Sequence, residues 1–207
     1  DAGGEGPFAR GLMVALGLFS MGWAAVFMVR QPDFKRMLAY SSVEHMGILV
    51  LGVGIGGEAV YGALLHLINN GLTKGVLFLA AGNIHRAYGS KRVDEVSGAL
   101  SKLPFSGALF LAGFFAITGS PPFGPFLSEF TIVRAAMVGG QFALAAAFLI
   151  LLFVVFVGMS STGLAVVQGT PREVPGALPA GGFRDGVLSV GPPLVLLALV
   201  LCLGVYV

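Results

Sequence analysis

Polar residues are sparse along this chain and cluster together, leaving long apolar runs between them. These runs fall at roughly 8–29, 36–56, 59–84, 104–138, 141–167 and 188–207. Each is long enough for the about 20 mostly apolar residues that a helix needs to cross a bilayer. Helices that are apolar all round show no clean stripe, so length rather than periodicity identifies them. The fourth run is interrupted by ITGSPPFGPFLSEF (117–130), where Gly119, Pro121, Pro122, Gly124 and Pro125 cannot all sit in one continuous helix. Proline removes a backbone donor and collides with the preceding turn. The pattern predicts an all-α polytopic membrane protein with about six transmembrane helices, one broken mid-membrane. Residues 1–207 then form a single transmembrane domain.

Composition and charge agree with that reading. Hydrophobic residues make up 56% of the chain and charged residues 11%, against about 25% charged in soluble domains. If the spans alternate, one side carries Arg30, Lys35, Arg36, Arg86, Lys91, Arg92, Lys102, Arg172 and Arg184. The other side carries Arg10 and Arg134, and Lys74 stays in the membrane. Cytoplasmic loops attract Lys and Arg. The charged loops 30–36, 84–102 and 168–187 are therefore expected in the cytoplasm, in a multi-pass protein of the inner (plasma) membrane, with both chain ends facing outward. Segment 84–102 reads as a solvated connector, and 170–186, rich in Pro and Gly, as irregular. The opening DAGGEGPFARG lacks Met and the basic region of a signal peptide, and the apolar run after it is too long for a signal core. The chain reads as the C-terminal part of something longer.

Several chemistries have no support. A lone cysteine, Cys202, cannot build a disulfide framework or a four-cysteine iron–sulfur site within the chain. There is no phosphate-binding glycine loop, haem-binding CxxCH or nucleophile motif, and nothing points to nucleic acid. His45, His66 and His85 lie on different helices or a loop without HxxxH or ExxH spacing, so neither a metal site nor a cofactor is expected. Any redox centre must lie elsewhere.

An ionisable residue inside a bilayer is a functional candidate by default, because burying it is costly unless it is paired or hydrated. HLINNGLTKG (66–75) places His66, Asn70 and Lys74 at i, i+4 and i+8, on one helical face. Lys74 falls near mid-membrane, where dehydration brings the neutral amine within reach of the ammonium. His66, of a residue type that titrates near neutral pH, suits a relay, and Asn69 and Asn70 can anchor water. A static ion pair is the structural alternative for Lys74. Glu129 sits early in the second half of the broken helix, where a positive helix end favours a carboxylate; pairing with Arg134 is its alternative. In YSSVEHMGIL (40–49), Glu44 and His45 with Tyr40, Ser41 and Ser42 could form a hydrated entrance nearer the cytoplasm, or occupy a plain interfacial position.

Taken together, DFKRMLAYSSVEHMG, HLINNGLTKGVLFLAAGNI and GSPPFGPFLSEF resemble the antiporter-like membrane subunits of respiratory complex I, Mrp-type antiporters and membrane-bound hydrogenases. The wording is most similar to hydrogenase-4 component F. The resemblance implies the C-terminal part of a fourteen-helix fold, helices nine to fourteen, holding most of the second of two inverted repeats. It matches Lys74 to the central lysine of a half-channel, His66 to the neighbouring histidine and Glu129 to a broken-helix position that carries Lys or Glu. Asn70 departs from the pattern, because many relatives have histidine there. The implied function is ion translocation, of protons or Na⁺, by a non-catalytic subunit of a redox-driven complex. Its partners would be other membrane subunits and hydrophilic redox subunits of nickel–iron hydrogenase or NADH dehydrogenase type. A secondary cation/proton antiporter is the alternative. The implied proton pathway runs through His66 and Lys74 to Glu129, with Glu44, His45 and Asn70 as further members.

Overall fold

The structure, a computed structural model, describes residues 6–29, 31–171 and 183–206. Among the described residues, eight helices follow one another: α1 (Gly6–Met28), α2 (Phe34–Ile55), α3 (Glu58–Tyr88), α4 (Ala99–Lys102), α5 (Pro104–Ile117), α6 (Gly124–Val138), α7 (Phe142–Val167) and α8 (Val187–Tyr206). Five of them, α1, α2, α3, α7 and α8, are long and apolar enough to cross a membrane. The sixth expected span is the broken one, supplied by α5 and α6 in series. Apolar side chains such as Phe19, Trp23, Phe153 and Leu194 face outward while Glu44, His45, His66 and Glu129 are buried. A solvated protein would not be arranged this way, since buried charge requires compensation that a water-facing position gives freely.

Local chemistry sets the helix ends. Asp33 caps α2, its carboxylate accepting from the Lys35 and Arg36 amides at 2.9 and 3.0 Å. Gly89 ends α3 in the left-handed conformation and donates to the His85 carbonyl. α3 therefore extends past the expected boundary at 84 and takes in His85 and Arg86. Between α5 and α6, Thr118 closes the first half-helix with its hydroxyl donating to the Phe114 carbonyl at 3.0 Å. Gly119 turns at φ +67, and Pro125 opens the second half where its missing N–H is harmless.

Close backbone approach fixes the packing. A Cβ on Gly17 of α1 would stand 2.8 Å from the Gly47 carbonyl oxygen, and one on Gly47 equally close to that of Gly17. Small residues at such crossings let membrane helices associate through backbone contact. α3 lies at the centre, packed against α2, α5, α6 and α8. One apolar cluster joins α1, α2, α3, α5 and α7 through Met28, Phe34, Leu77, Phe110 and Met159. A second, around Met21, Ile48, Ile132 and Phe148, joins α1, α2, α6 and α7.

The expectation of a solvated connector over 84–102 is corrected. Val96 and Ala99 are fully buried, and α4 forms within the segment. The Gly98 amide donates to the Gln168 carbonyl, and the Tyr88 hydroxyl to the Ser97 carbonyl at 2.6 Å. Residues 91–93 also pair with 32–34, through Phe34 N–H to Lys91 O and Val93 N–H to Pro32 O. The polarity of the segment comes from its tip, around Arg92 and Asp94, which face each other in an exposed ion pair. Most of segment 170–186, together with Arg30 and Arg172, lies outside the described residues. Its described end does have a role: Asp185 accepts from the Phe105 and Ser106 amides and so caps α5.

Candidate functional site

α2, α3 and α6 bring six buried polar residues into one row. At one end is Lys74, at the middle of α3. Its ammonium donates to the Leu38 carbonyl of α2 at 2.6 Å and to the Ser41 hydroxyl, which itself donates to Leu38. One turn further along α2 comes Glu44, 2% exposed, close enough to Lys74 for their charges to interact. Its Oε2 faces His45 Nε2 at 3.8 Å. On the other edge of that ring, His45 Nδ1 is 2.9 Å from His66 Nε2. His66 Nδ1 then lies 2.9 Å from the Ser128 hydroxyl on α6, and Glu129 follows Ser128.

The broken helix is shaped around this row. Glu129 fills the space where Gly119 would carry a Cβ, and the Asn69 amide does the same at Gly124. Any side chain at those two positions would displace a polar group of the site. Beside Glu129, a recess of about 250 Å³ lined by Thr118, Phe126, Phe130, Phe153 and others lies at the outer apolar surface.

Several sequence expectations change here. Glu44 and His45 do not lie at the protein surface: they are 2% and 1% exposed. They read as interfacial because polar Tyr40, Ser41 and Ser42 precede them, but Ser41 is itself buried and serves Lys74. Glu129 does not pair with Arg134, whose partner is Glu58 at 4.0 Å on the exposed surface. His66 and Lys74 share a face of α3 but are joined through α2. Asn70 is buried between them, its Oδ1 without a hydrogen-bond partner in the protein. His45 thus supplies a second imidazole beside His66, although Asn70 does not.

No metal centre follows from spacing along the chain, yet ligand atoms of His45, His66 and Glu129, from three helices, lie within 4.8 Å of one another. Spacing rules read ligands on one helix and miss such a convergence. The signal that could have found it is the pairing of buried polar positions in three separate apolar runs. Ser128 and Asn69 gave less warning, because Ser and Asn occur in membrane helices for purely local reasons.

Five residues of the row and its rim contain buried polar atoms with no protein partner: Glu44 Oε2, His45 Nε2, both amide atoms of Asn69, Asn70 Oδ1 and Glu129 Oε1. Buried polar groups are nearly always paired, and such a line of them is suited to protons or to ordered water. Two carboxylates, two imidazoles and an amine in electrostatic contact can exchange a proton and alter one another's charge state.

The chain as a whole is similar to known membrane subunits. A hydrogenase-4 component F homolog of Methylacidiphilum infernorum is 40% identical over 126 residues, covering 60% of this chain and 26% of that protein. The NADH-quinone oxidoreductase subunit N of Desulforudis audaxviator is 36% identical over 137 residues, 66% of this chain and 27% of that protein. The chain thus spans about a quarter of the length of these relatives. In fold, it is similar to a chain of the Mrp complex from Dietzia sp., with a TM-score of 0.84 at 23% identity, over 94% of this chain and 44% of that one. The description "NADH:quinone oxidoreductase/Mrp antiporter, TM" matches residues 4–155, and the chain belongs to that family of antiporter-like membrane subunits.

Proposed function

We propose that this chain carries a proton half-channel of a multi-subunit membrane complex, most similar to the hydrogenase-4 type. The observation that supports it is the buried row Lys74, Glu44, His45, His66, Glu129, in which polar atoms without protein partners sit between groups able to bind a proton. Lys74 is the switching base, His45 and His66 the relay, and Glu129 the outlet carboxylate. Lys74 as an ammonium stabilises the Glu44 carboxylate; once Lys74 is neutral, Glu44 favours its protonated form, since neighbouring charge sets which form of a group is preferred. A proton then passes from Glu44 to the histidines. Negative charge on Glu44 and on Glu129 opposes itself, so loading one favours unloading the other.

Protons suit this row better than Na⁺. Hard cations of that kind take oxygen ligands, whereas the centre of the row is two imidazoles, ligands that favour protons and softer metals. The hydrogenase-4 reading rests on the 40% identity to the component F homolog. It implies residence in the inner membrane, charged loops in the cytoplasm and a drive from nickel–iron hydrogenase chemistry in partner subunits. NADH-quinone oxidoreductase subunits remain the second reading, on the 36% match to subunit N.

Replacing Lys74 with Ala in the full-length protein, within its assembled complex, tests the reading. Proton uptake by vesicles should fall at least about tenfold, as expected when a proton-transfer group is lost. Unchanged proton uptake in a fully assembled Lys74→Ala complex would sink the proposed path.

A further inference from the structure

We infer that Ser128 is a positioning residue that fixes the tautomers of both histidines and so sets the end at which the pair takes up a proton. The inference rests on the proton-path reading of the site and adds a direction to it. A serine hydroxyl has one proton to donate. Ser128 Oγ lies 2.8 Å from the Pro125 carbonyl oxygen, which can only accept. With its proton there, the hydroxyl accepts from His66, and Nδ1 of His66, at 2.9 Å, is the donor.

The rest follows ring by ring. A neutral His66 with its proton on Nδ1 has a bare Nε2. His45 Nδ1, 2.9 Å away, must then be the donor, which leaves His45 Nε2 bare when that ring is neutral. That atom is buried, has no hydrogen-bond partner and faces Glu44 Oε2, which has none either. One hydroxyl on the broken helix thus leaves a free nitrogen lone pair at the far end of the chain, turned to the carboxyl next to Lys74. The nitrogen bearing a histidine's proton is set by the bond its other nitrogen makes, and here that control passes through two rings.

The O–H bond of protonated Glu44 breaks and an N–H bond forms at His45 Nε2. The Nδ1 proton of His45 moves to His66 Nε2. The Nδ1 proton of His66 moves to Ser128 Oγ as the hydroxyl gives its own to the Glu129 carboxylate, which lies within 4.8 Å of both histidines' ligand nitrogens. Both rings then hold the opposite tautomer and the Ser128–Pro125 bond is broken. Restoring the starting tautomers takes a proton onto His66 Nδ1 and releases one from His45 Nε2; re-formation of the Ser128–Pro125 bond favours that exchange and returns the bare nitrogen to the Glu44 side. The break between α5 and α6 contributes directly, because the Pro125 carbonyl belongs to the first turn after it.

Nitrogen-15 NMR of histidine-labelled intact complex, with signals assigned by their loss in His45→Gln and His66→Gln, reads the tautomers directly. Both rings should carry their proton on Nδ1. Ser128→Ala should change the His66 tautomer ratio by about tenfold, the effect of one hydrogen bond, and slow proton uptake, while Ser128→Thr keeps both at wild-type values. His66 protonated on Nε2 in the unaltered complex, or tautomers indifferent to Ser128→Ala, would overturn the inference. That failure differs from failure of the path. Tautomers can be insensitive to Ser128 while Lys74→Ala still abolishes uptake, and Lys74→Ala can leave uptake intact while Ser128 still governs the rings.

Discussion

Glu129 is the residue whose surroundings are hardest to explain without a proton. It is 6% exposed, one of its oxygens has no partner, and its carboxylate fills the space that a side chain at Gly119 would take. A permanently charged carboxylate there would lack the pairing that buried ions need. Glu129→Gln keeps the shape against Gly119 and removes the titration. The complex should assemble and keep its thermal midpoint, while proton uptake falls at least about tenfold; equal uptake would remove Glu129 from the path. Lys74, His66 and Glu129 were legible in the sequence because each is an ionisable group inside an otherwise apolar run. Ser128 was not, since a hydroxyl carries no charge and its value lies in one carbonyl and one imidazole brought near by folding. His45 was visible as a residue but not as the neighbour of His66, because 21 positions separate them along the chain.

At the scale of elements, the start of α2 joins the site to the charged loops. Asp33 caps the helix whose first turns carry Leu38 and Ser41, the two groups that hold Lys74. Partial burial opposes ionisation of Asp33, but the Arg36 and Lys35 amides and the Lys91 ammonium at 3.1 Å outweigh it and hold its carboxyl below the usual range. A group whose folded value is lowered contributes stability above its unfolded value, near about 3.9 for Asp, and loses it as pH falls through the folded one. Asp33→Ala should therefore destabilise the purified protein by about 1 kcal/mol near neutral pH, a difference that shrinks in acid below about pH 4. A thermal midpoint indifferent to the substitution at neutral pH would show that the cap contributes nothing. The helices themselves were readable from apolar length, and the break from its prolines and glycines. The Asp33 cap is made with the amides just after it and was open to the same reading. The short α4 and the docking of 89–98 were not, because they depend on contacts between loops distant in sequence.

For the whole molecule, the exposed apolar surface and the buried polar row together describe a body made for a bilayer. On the proposed function, the driving reaction reaches the row through partner subunits. Charge changes at Lys74 are the natural point of coupling, since Lys74 is held by α2, and α2 is tied at Asp33 and Phe34 to the loop that carries Lys91. A partner docked on this face would act on α2, which holds Lys74 through Leu38 and Ser41. Purifying the native complex through a tag on this subunit, followed by mass spectrometry, identifies that partner. Nickel–iron hydrogenase and iron–sulfur subunits are the expected companions. NADH dehydrogenase-type subunits in their place would move the driving reaction but leave the row its role. Only small membrane subunits would overturn a redox drive, and the same lysine, histidines and glutamate would then exchange protons against another cation.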